Sequence, residues 1–363
     1  MKVLICPDKF KGSLTAIDVA RSIEDALPQS FEKELVPMAD GGEGSLEVIA
    51  ANMTGCWKTV VVNDPLFRPV SAKYYLCQNS AYIEMAKASG YELLNDTERD
   101  CTKTSTFGTG ELIKDARNEG VENIYLFIGG SATNDGGIGV AAALGFMFLD
   151  IDKNVLKPIG ENLAKIHDIK LPVTSIENTN FTVVCDVVNP FYGSNGAAYV
   201  YAAQKGASPA QIIELDKGLE NLANKIKTKF DIDLQSLAGA GAAGGLGGGA
   251  VAFLKAKIKS GTKTLIEITG LENKIVSSDL IITGEGKVDS QSISGKLIDG
   301  ICKIAKANEI PVWIICGISE IDEQTLAKLG VKKVISLVNE YIKPAFAIKN
   351  AKSLIKERIQ SLF

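Results

Sequence analysis

The 363-residue sequence contains one histidine, His167, and its seven cysteines form no CxxC pair. Catalysis by paired histidines and a multi-histidine zinc site are thereby excluded, and His167, in "LAKIHDIKLP", reads as a helix-end or surface residue. Cys6, Cys56, Cys77, Cys101, Cys185, Cys302 and Cys316 are scattered, several inside apolar strand-like runs, so they read as reduced core thiols. No long basic run is present. With 39 Lys and Arg against 43 Asp and Glu, the formal charge is -4, which argues against a nucleic-acid surface and leaves small anionic ligands dependent on local positive groups. The start, "MKVLICPDKFKGS", lacks the apolar region and cleavage signal of a secretory leader, so a cytoplasmic location is expected. An uncharged run at 237–254, "LAGAGAAGGLGGGAVAFL", is too rich in glycine and too poor in aliphatic side chains for a membrane span. It reads as a close-packed turn leading into a helix. GxxxxGK[ST], HRD and DFG are also absent, which removes two common kinase designs. No coiled-coil pattern or apolar interface stripe is legible, so the sequence sets no oligomeric state.

What is present is enough for two α/β domains: 46% of the residues are hydrophobic and 23% charged. The beginning alternates strand and helix: "KVLICP", then "TAIDVARSIEDAL" with Val19, Ile23 and Leu27 at helical spacing, then "KELVPM" and a helix from near Glu43. Thr15 with Asp18 three residues on resembles a capping pair. The tail has the same texture, with buried strands expected at 279–283, 311–316 and 333–338 between helical stretches. The middle differs, because "WKTVVVNDPLFRPVSAKYYL" reads as paired strands around a turn and is followed by glycine-rich segments and long helices. This predicts one open α/β domain from residues 1–60 and 270–363, with an inserted α/β domain over 61–269. A sequential two-domain arrangement, with the final strands joined to the middle, is the alternative.

Polar clusters recur where the strands end. "PDKFKGS" supplies Asp8, Lys9 and Lys11; "MADGGEGS" supplies Asp40 and Glu43; "GGSATNDGG" supplies Ser131, Thr133, Asn134 and Asp135. "CDVVNPFYG" adds Asp186 and Asn189, and "TGEGKVDSQS" adds Glu285, Lys287 and Asp289. Glycine permits close backbone approach, and N–H groups at a helix start attract anions, so the junction "LFIGGSATNDGGIGVAAALG" reads as a strand, a turn and a helix start suited to phosphate or carboxylate. "GTGELIKDA" at 108–116, with Thr106 and Thr109, is a second helix start that could hold an acid group or simply be capped. Ligands of open α/β domains lie beyond the carboxyl ends of the strands, so the clusters are expected to converge on one cleft. Lysines against developing oxygen charge, carboxylates for a metal and glycine beside a polyphosphate suit phosphoryl transfer. A phosphate-binding lyase or transferase needs many of the same groups.

Seven segments, "PDKFKGS", "ADGGEG", "GGSATNDGG", "CDVVNPFYGSNGAA", "QKGA", "GAGAAGGLG" and "TGEGKVDSQSISGK", resemble the type I glycerate kinase family in order and spacing from about residue 3 to about residue 340. The resemblance implies ATP-dependent, Mg²⁺-assisted phosphorylation of D-glycerate, most often at the 2-hydroxyl in bacterial members. It also implies a Rossmann-like or flavodoxin-like open parallel sheet built from both chain ends, an inserted second α/β domain, and an active site between the two. On that basis Lys11 is expected on the transferring phosphate, with Lys9, Ser131, Thr133, Asn134 and Lys287 toward the nucleotide. Glu285 and Asp289 are expected in the Mg²⁺–nucleotide region, and Arg68 and Asn189 toward glycerate. Asp186 is expected to act as the base for, or to position, the glycerate hydroxyl, with Asp40 and Asp135 as rivals. Alternatives are a kinase for another small hydroxy acid and a non-catalytic phosphometabolite sensor.

Overall fold

The computed structural model describes residues 1–173, 178–290, 292–293 and 295–363. In chain order the first segment holds β1 (Lys2–Ile5), α1 (Ala16–Ala26), β2 (Glu32–Leu35) and α2 (Ser45–Asn52). The middle holds β3 (Cys56–Asn63), β4 (Pro69–Cys77), β5 (Ser80–Glu84), α3 (Ala86–Ser89), α4 (Phe107–Asn118), β6 (Asn123–Phe127), α5 (Ile138–Ala143), β7 (Met147–Leu149), β8 (Asp168–Lys170) and β9 (Asn180–Val184). It continues with α6 (Ala197–Tyr201), α7 (Pro209–Phe230), α8 (Ala242–Leu254) and β10 (Lys257–Lys259). The last segment holds α9 (Gly261–Thr269), α10 (Leu271–Val276), β11 (Leu280–Val288), α11 (Leu297–Ala307), β12 (Val312–Ser319), α12 (Glu323–Lys328), β13 (Val331–Ser336) and α13 (Pro344–Gln360).

The chain forms two compact units, Met1–Thr54 with Gly261–Phe363, and Gly55–Ser260. The crossings therefore fall at 54/55 and 260/261 rather than at the expected 60/61 and 269/270. Pairing explains the first difference, since β3 is bonded to β4 from Cys56 onward and cannot be divided. Packing explains the second, because α9 lies against α2 and α11 of the first unit.

In unit 1 five parallel strands run in the order β13-β12-β11-β1-β2. A parallel sheet covered on both faces needs apolar residues at successive positions. Val3 and Ile5 face a cluster with Val19, Ile23, Ile282, Ile315, Leu354 and Ile355, drawn from α1, α13 and neighbouring strands. Leu4, Ile281 and Ile314 alternate with them, lie outside that cluster and are fully buried. Thr15 caps α1 by accepting from the Asp18 N–H, as the spacing predicted.

Unit 2 is built on a mixed six-stranded sheet, β10-β9-β6-β5-β4-β3. β3, β4 and β5 are joined antiparallel, and β5, β6, β9 and β10 run parallel, with Glu84, Phe127, Val184 and Lys259 level at one edge. Ile83, Leu126 and Val183 lie in a core with Leu112 of α4 and Leu246 of α8. The stretch "GVAAALGFMF" divides: α5 stops at Ala143, Gly145 takes φ +98°, and Met147–Leu149 forms β7. The glycine run also departs from a plain turn before a helix, because α8 is interrupted by left-handed Ala243, Gly244 and Gly245. Among the described residues no helix is long and apolar enough to cross a membrane.

All seven cysteines are free thiols, but Cys56 is exposed on β3 and Cys185 only partly buried, so not all are core residues. His167 is exposed, its backbone N–H bonded to the Leu149 carbonyl before β8.

Candidate active site

In unit 1, backbone pairing carries three loops to the same end of the sheet. The Asp8 N–H bonds the Gly284 carbonyl at 2.8 Å, and the Met38 N–H bonds Pro7 at 2.9 Å, so the chain after β1 leaves between β11 and the segment leading to Asp40. Gly286 lets this loop come close: a Cβ there would stand 3.2 Å from the Lys11 backbone nitrogen. Asp8 is 8% exposed, and burial pushes its carboxyl up to about 7, with the charges of Asp40 and Glu285 adding to the rise. Burial also raises Glu285, a shift opposed by the Ser292 hydroxyl and the Lys296 charge and reinforced by Asp289 and Asp40. These carboxylates repel one another in a partly dry setting. A divalent cation would relieve that repulsion, so the donor set fits Mg²⁺, which takes one or two carboxylates and completes its shell with water and phosphate oxygens. Among the described residues no three acid, thiol or imidazole groups form a protein-only metal cage.

The basic groups differ in how they are held. Lys9 donates to the Glu43 carbonyl at 2.6 Å and lies 3.5 Å from its carboxylate. Lys11 is exposed and has no ion pair among the described residues. Lys287 pairs with Glu320 at 2.9 Å and stands 3.9 Å from Asp289. Asp40 accepts from the Gly42 N–H at 3.1 Å, which sets the turn between β2 and α2. Unit 1 thus brings together Lys9, Lys11, Asp40, Glu285, Lys287 and Asp289 of the expected residues, and adds Asp8.

In unit 2 the loop after β6 is organised by Asp135, which is fully buried. Its carboxylate accepts from the Thr106 N–H at 2.7 Å, the Thr106 hydroxyl at 2.8 Å, and the Gly137 and Gly139 N–H groups at 3.1 and 3.2 Å. Burial raises its carboxyl and these bonds pull it back. The acid group at the start of α4 is therefore Asp135 itself, and the same side chain takes N–H groups at the start of α5 that had been expected to attract a ligand anion. Three of these bonds fall on Oδ2 and one on Oδ1, so Asp135 joins the two helix starts. Nearby, the Thr133 hydroxyl and both polar atoms of the Asn134 carboxamide are buried and find no hydrogen-bond partner among the described residues. Beneath them the Lys205 ammonium donates to the Ser131 hydroxyl at 2.6 Å and the Thr133 carbonyl at 2.8 Å.

Asp186 follows β9 and is exposed, its carboxylate accepting from the Ser260 hydroxyl at 2.7 Å. Asn189 is fixed by Tyr201, which donates to its Oδ1 at 2.6 Å, and by its own bond to the Asn195 carbonyl at 2.9 Å. Arg68 bridges Asp64 at 2.6 Å and Glu98 at 2.5 Å, and this double ion pair raises its already high pKa. Its guanidinium is engaged with protein carboxylates and differs in this from a bare anion receptor. Lys205 lies in the segment "QKGA" that carries the family resemblance, but no role for it was legible there. Its signal is a lysine in the otherwise uncharged stretch "YVYAAQKGAS".

The Glycerate kinase family model matches residues 3–363. The chain is 40% identical to a glycerate kinase of Halalkalibacterium halodurans over 99% of its length and 97% of that protein. It is 41% identical to the glycerate 2-kinase of Escherichia coli K12 over 93% of its length and 91% of that protein. The crystal structure of a "putative glycerate kinase 2" from Salmonella typhimurium LT2 superposes with a TM-score of 0.89 at 38% identity, covering 100% of this chain and 97% of that one. A match at this level across both units, joined to carboxylates and lysines gathered at strand ends, places the chain in the glycerate kinase family.

Proposed function

We infer that the protein transfers the γ-phosphoryl group of ATP to the 2-hydroxyl of D-glycerate, giving 2-phosphoglycerate and ADP. The observation that carries this reading is the set of mutually repelling carboxylates Asp8, Asp40 and Glu285 beside Lys9 in unit 1, with Lys11 and Lys287 on the same loops. The strand order of that unit, 2-1-3-4-5 when its own strands are counted along the chain, is that of a flavodoxin-like doubly wound sheet. Its order reverses beside β1, and Asp8 follows β1 while Glu285 lies on the adjacent β11, the position where such sheets take phosphorylated ligands.

Glu285 and Asp289 are the residues that would hold Mg²⁺, which when bound would neutralise charge on the nucleotide phosphates, with Asp8 and Asp40 adding to the local negative charge. Lys11, having no competing ion pair among the described residues, is assigned to the transferring phosphoryl group, and Lys9 and Lys287 to the nucleotide phosphates. Ser131, Thr133 and Asn134 are assigned to an oxyanion of a reactant. Asp186 accepts the hydroxyl proton as the new O–P bond forms, while its bond to Ser260 fixes the carboxylate. Asn189 and Arg68 orient the hydroxy acid, Arg68 after exchanging one of its present carboxylates for that of the substrate.

A coupled ADP assay with D-glycerate, ATP and Mg²⁺ tests the reaction, and phosphorus NMR of the product tests its position. ADP release dependent on glycerate, with a 2-phosphoglycerate signal, is expected. No release above the glycerate-free control would overturn the activity, and a 3-phosphoglycerate signal would overturn the regiochemistry.

A further inference from the structure

Lys205 is an ammonium in an unusual setting. It is 5% exposed and lies in the turn between α6 and α7, where its own carbonyl accepts from the Cys101 N–H at 3.1 Å. Both recorded acceptors of its Nζ, the Ser131 hydroxyl and the Thr133 carbonyl, are neutral, and no carboxylate stands within ion-pair distance among the described residues. An isolated buried cation is costly unless something anionic compensates it, and burial accordingly pushes Lys205 down to about 8, with Cys101 and Asp135 opposing the shift from farther away.

The direction of the hydrogen bonds is informative. An ammonium only donates, so the Ser131 oxygen must accept from Lys205, and the Ser131 hydroxyl hydrogen is left to donate elsewhere. Accepting from a cation also makes that hydroxyl a stronger donor. Two and three residues on, the Thr133 hydroxyl and the Asn134 carboxamide are buried and find no partner among the described residues. Native structures leave few such groups unsatisfied without a ligand or water to meet them. A cation, a polarised hydroxyl, a second hydroxyl and an amide donor within one turn have a common complement, an oxyanion.

We propose that Lys205 is a positioning residue for oxyanion recognition: its ammonium fixes the Ser131–Thr133 turn and directs the Ser131 and Thr133 hydroxyls and the Asn134 amide toward a carboxylate or phosphate oxygen of a reactant. This rests on the assignment of Ser131, Thr133 and Asn134 to ligand binding made above. It adds a residue from the α6–α7 turn that carries the charge the three neutral side chains lack.

Equilibrium titration of the intact protein with D-glycerate, and separately with ADP in the presence of Mg²⁺, tests the proposal. Lys205→Met, close in volume but uncharged, is expected to weaken one ligand by at least about tenfold and leave the other within about twofold. Ser131→Ala, which keeps the lysine and removes the polarised hydroxyl, is expected to weaken the same ligand. Loss confined to glycerate identifies the substrate carboxylate as the oxyanion, and loss confined to ADP identifies a nucleotide phosphate. Such ligand selectivity is not what a general loosening of the turn would give. If Lys205→Met does not fold, Ser131→Ala carries the test alone. Unchanged affinity for both ligands, or an equal loss of both, overturns the proposal. Thr133→Val and Asn134→Ala separate the two readings. If neither alters either affinity, the ligand assignment of the whole turn falls; if they do while the Lys205 and Ser131 variants do not, the role of Lys205 falls alone.

Discussion

Two aspartates that look alike in sequence, each beyond an apolar strand, end in opposite settings. Asp135 is buried and accepts hydrogen bonds from Thr106, Gly137 and Gly139 at the starts of α4 and α5, whereas Asp186 is exposed and held by Ser260. Asp135→Asn turns an amide donor toward N–H groups that need an acceptor, and a stability loss of about 3 kcal/mol is expected from urea unfolding. Asp186→Asn should leave the unfolding midpoint nearly unchanged and lower kcat roughly 10²-fold. Equal stability of the two variants would contradict the contrast. Lys205 gives a pH signature. Its folded pKa, about 8, lies below the ordinary lysine value of 10.5, so below pH 8 the native state bears the cost of a buried ammonium. That cost is lost as pH rises from about 8 to 10.5, where the unfolded chain binds more protons than the native one. Relative to Lys205→Met, the parent should therefore gain about 2 kcal/mol between pH 7 and 9.5, read from unfolding curves at the two values.

Strands and helices were largely legible because parallel strands covered on both faces read as uninterrupted apolar runs, and Thr15 with Asp18 announces α1. What failed depends on partners distant in sequence. "GVAAALGFMF" has helix-forming composition, yet Gly145 turns the chain against Pro172 and the last residues pair with β8. The identity of the acid at the start of α4 was equally hidden, since Thr106 and Asp135 are brought together only by the sheet. The glycine run of α8 shows the same limit. Gly244 has φ +69°, and a Cβ there would lie 2.1 Å from the Thr133 carbonyl, so the run is glycine-rich because a second backbone presses on it. Gly244→Ala is expected to cost about 3 kcal/mol or more, combining an unfavourable φ with a displaced 131–134 turn. An unchanged melting temperature would show that this contact is not needed.

The inserted arrangement was legible as a change of texture, since strand and helix alternate at both ends and paired strands open the middle. Its crossings were not, because neither Thr54/Gly55 nor Ser260/Gly261 carries a compositional break. The consequence concerns synthesis. β1, with Val3 aligned to Leu280, is an inner strand whose second neighbour does not exist until more than three quarters of the chain has been translated. At ordinary elongation rates the amino-terminal segment waits on the order of tens of seconds for β11, while Gly55–Ser260 is continuous and can close its own sheet as it leaves the ribosome. Ribosome-bound chains stalled after residue 260 has emerged should resist protease over 55–260 and be cut within 1–54; protection of both segments would contradict this order. The bare edges of β1 and β2 are then the aggregation hazard of the newborn chain, and a chaperone that binds apolar strands has its natural target in "KVLIC".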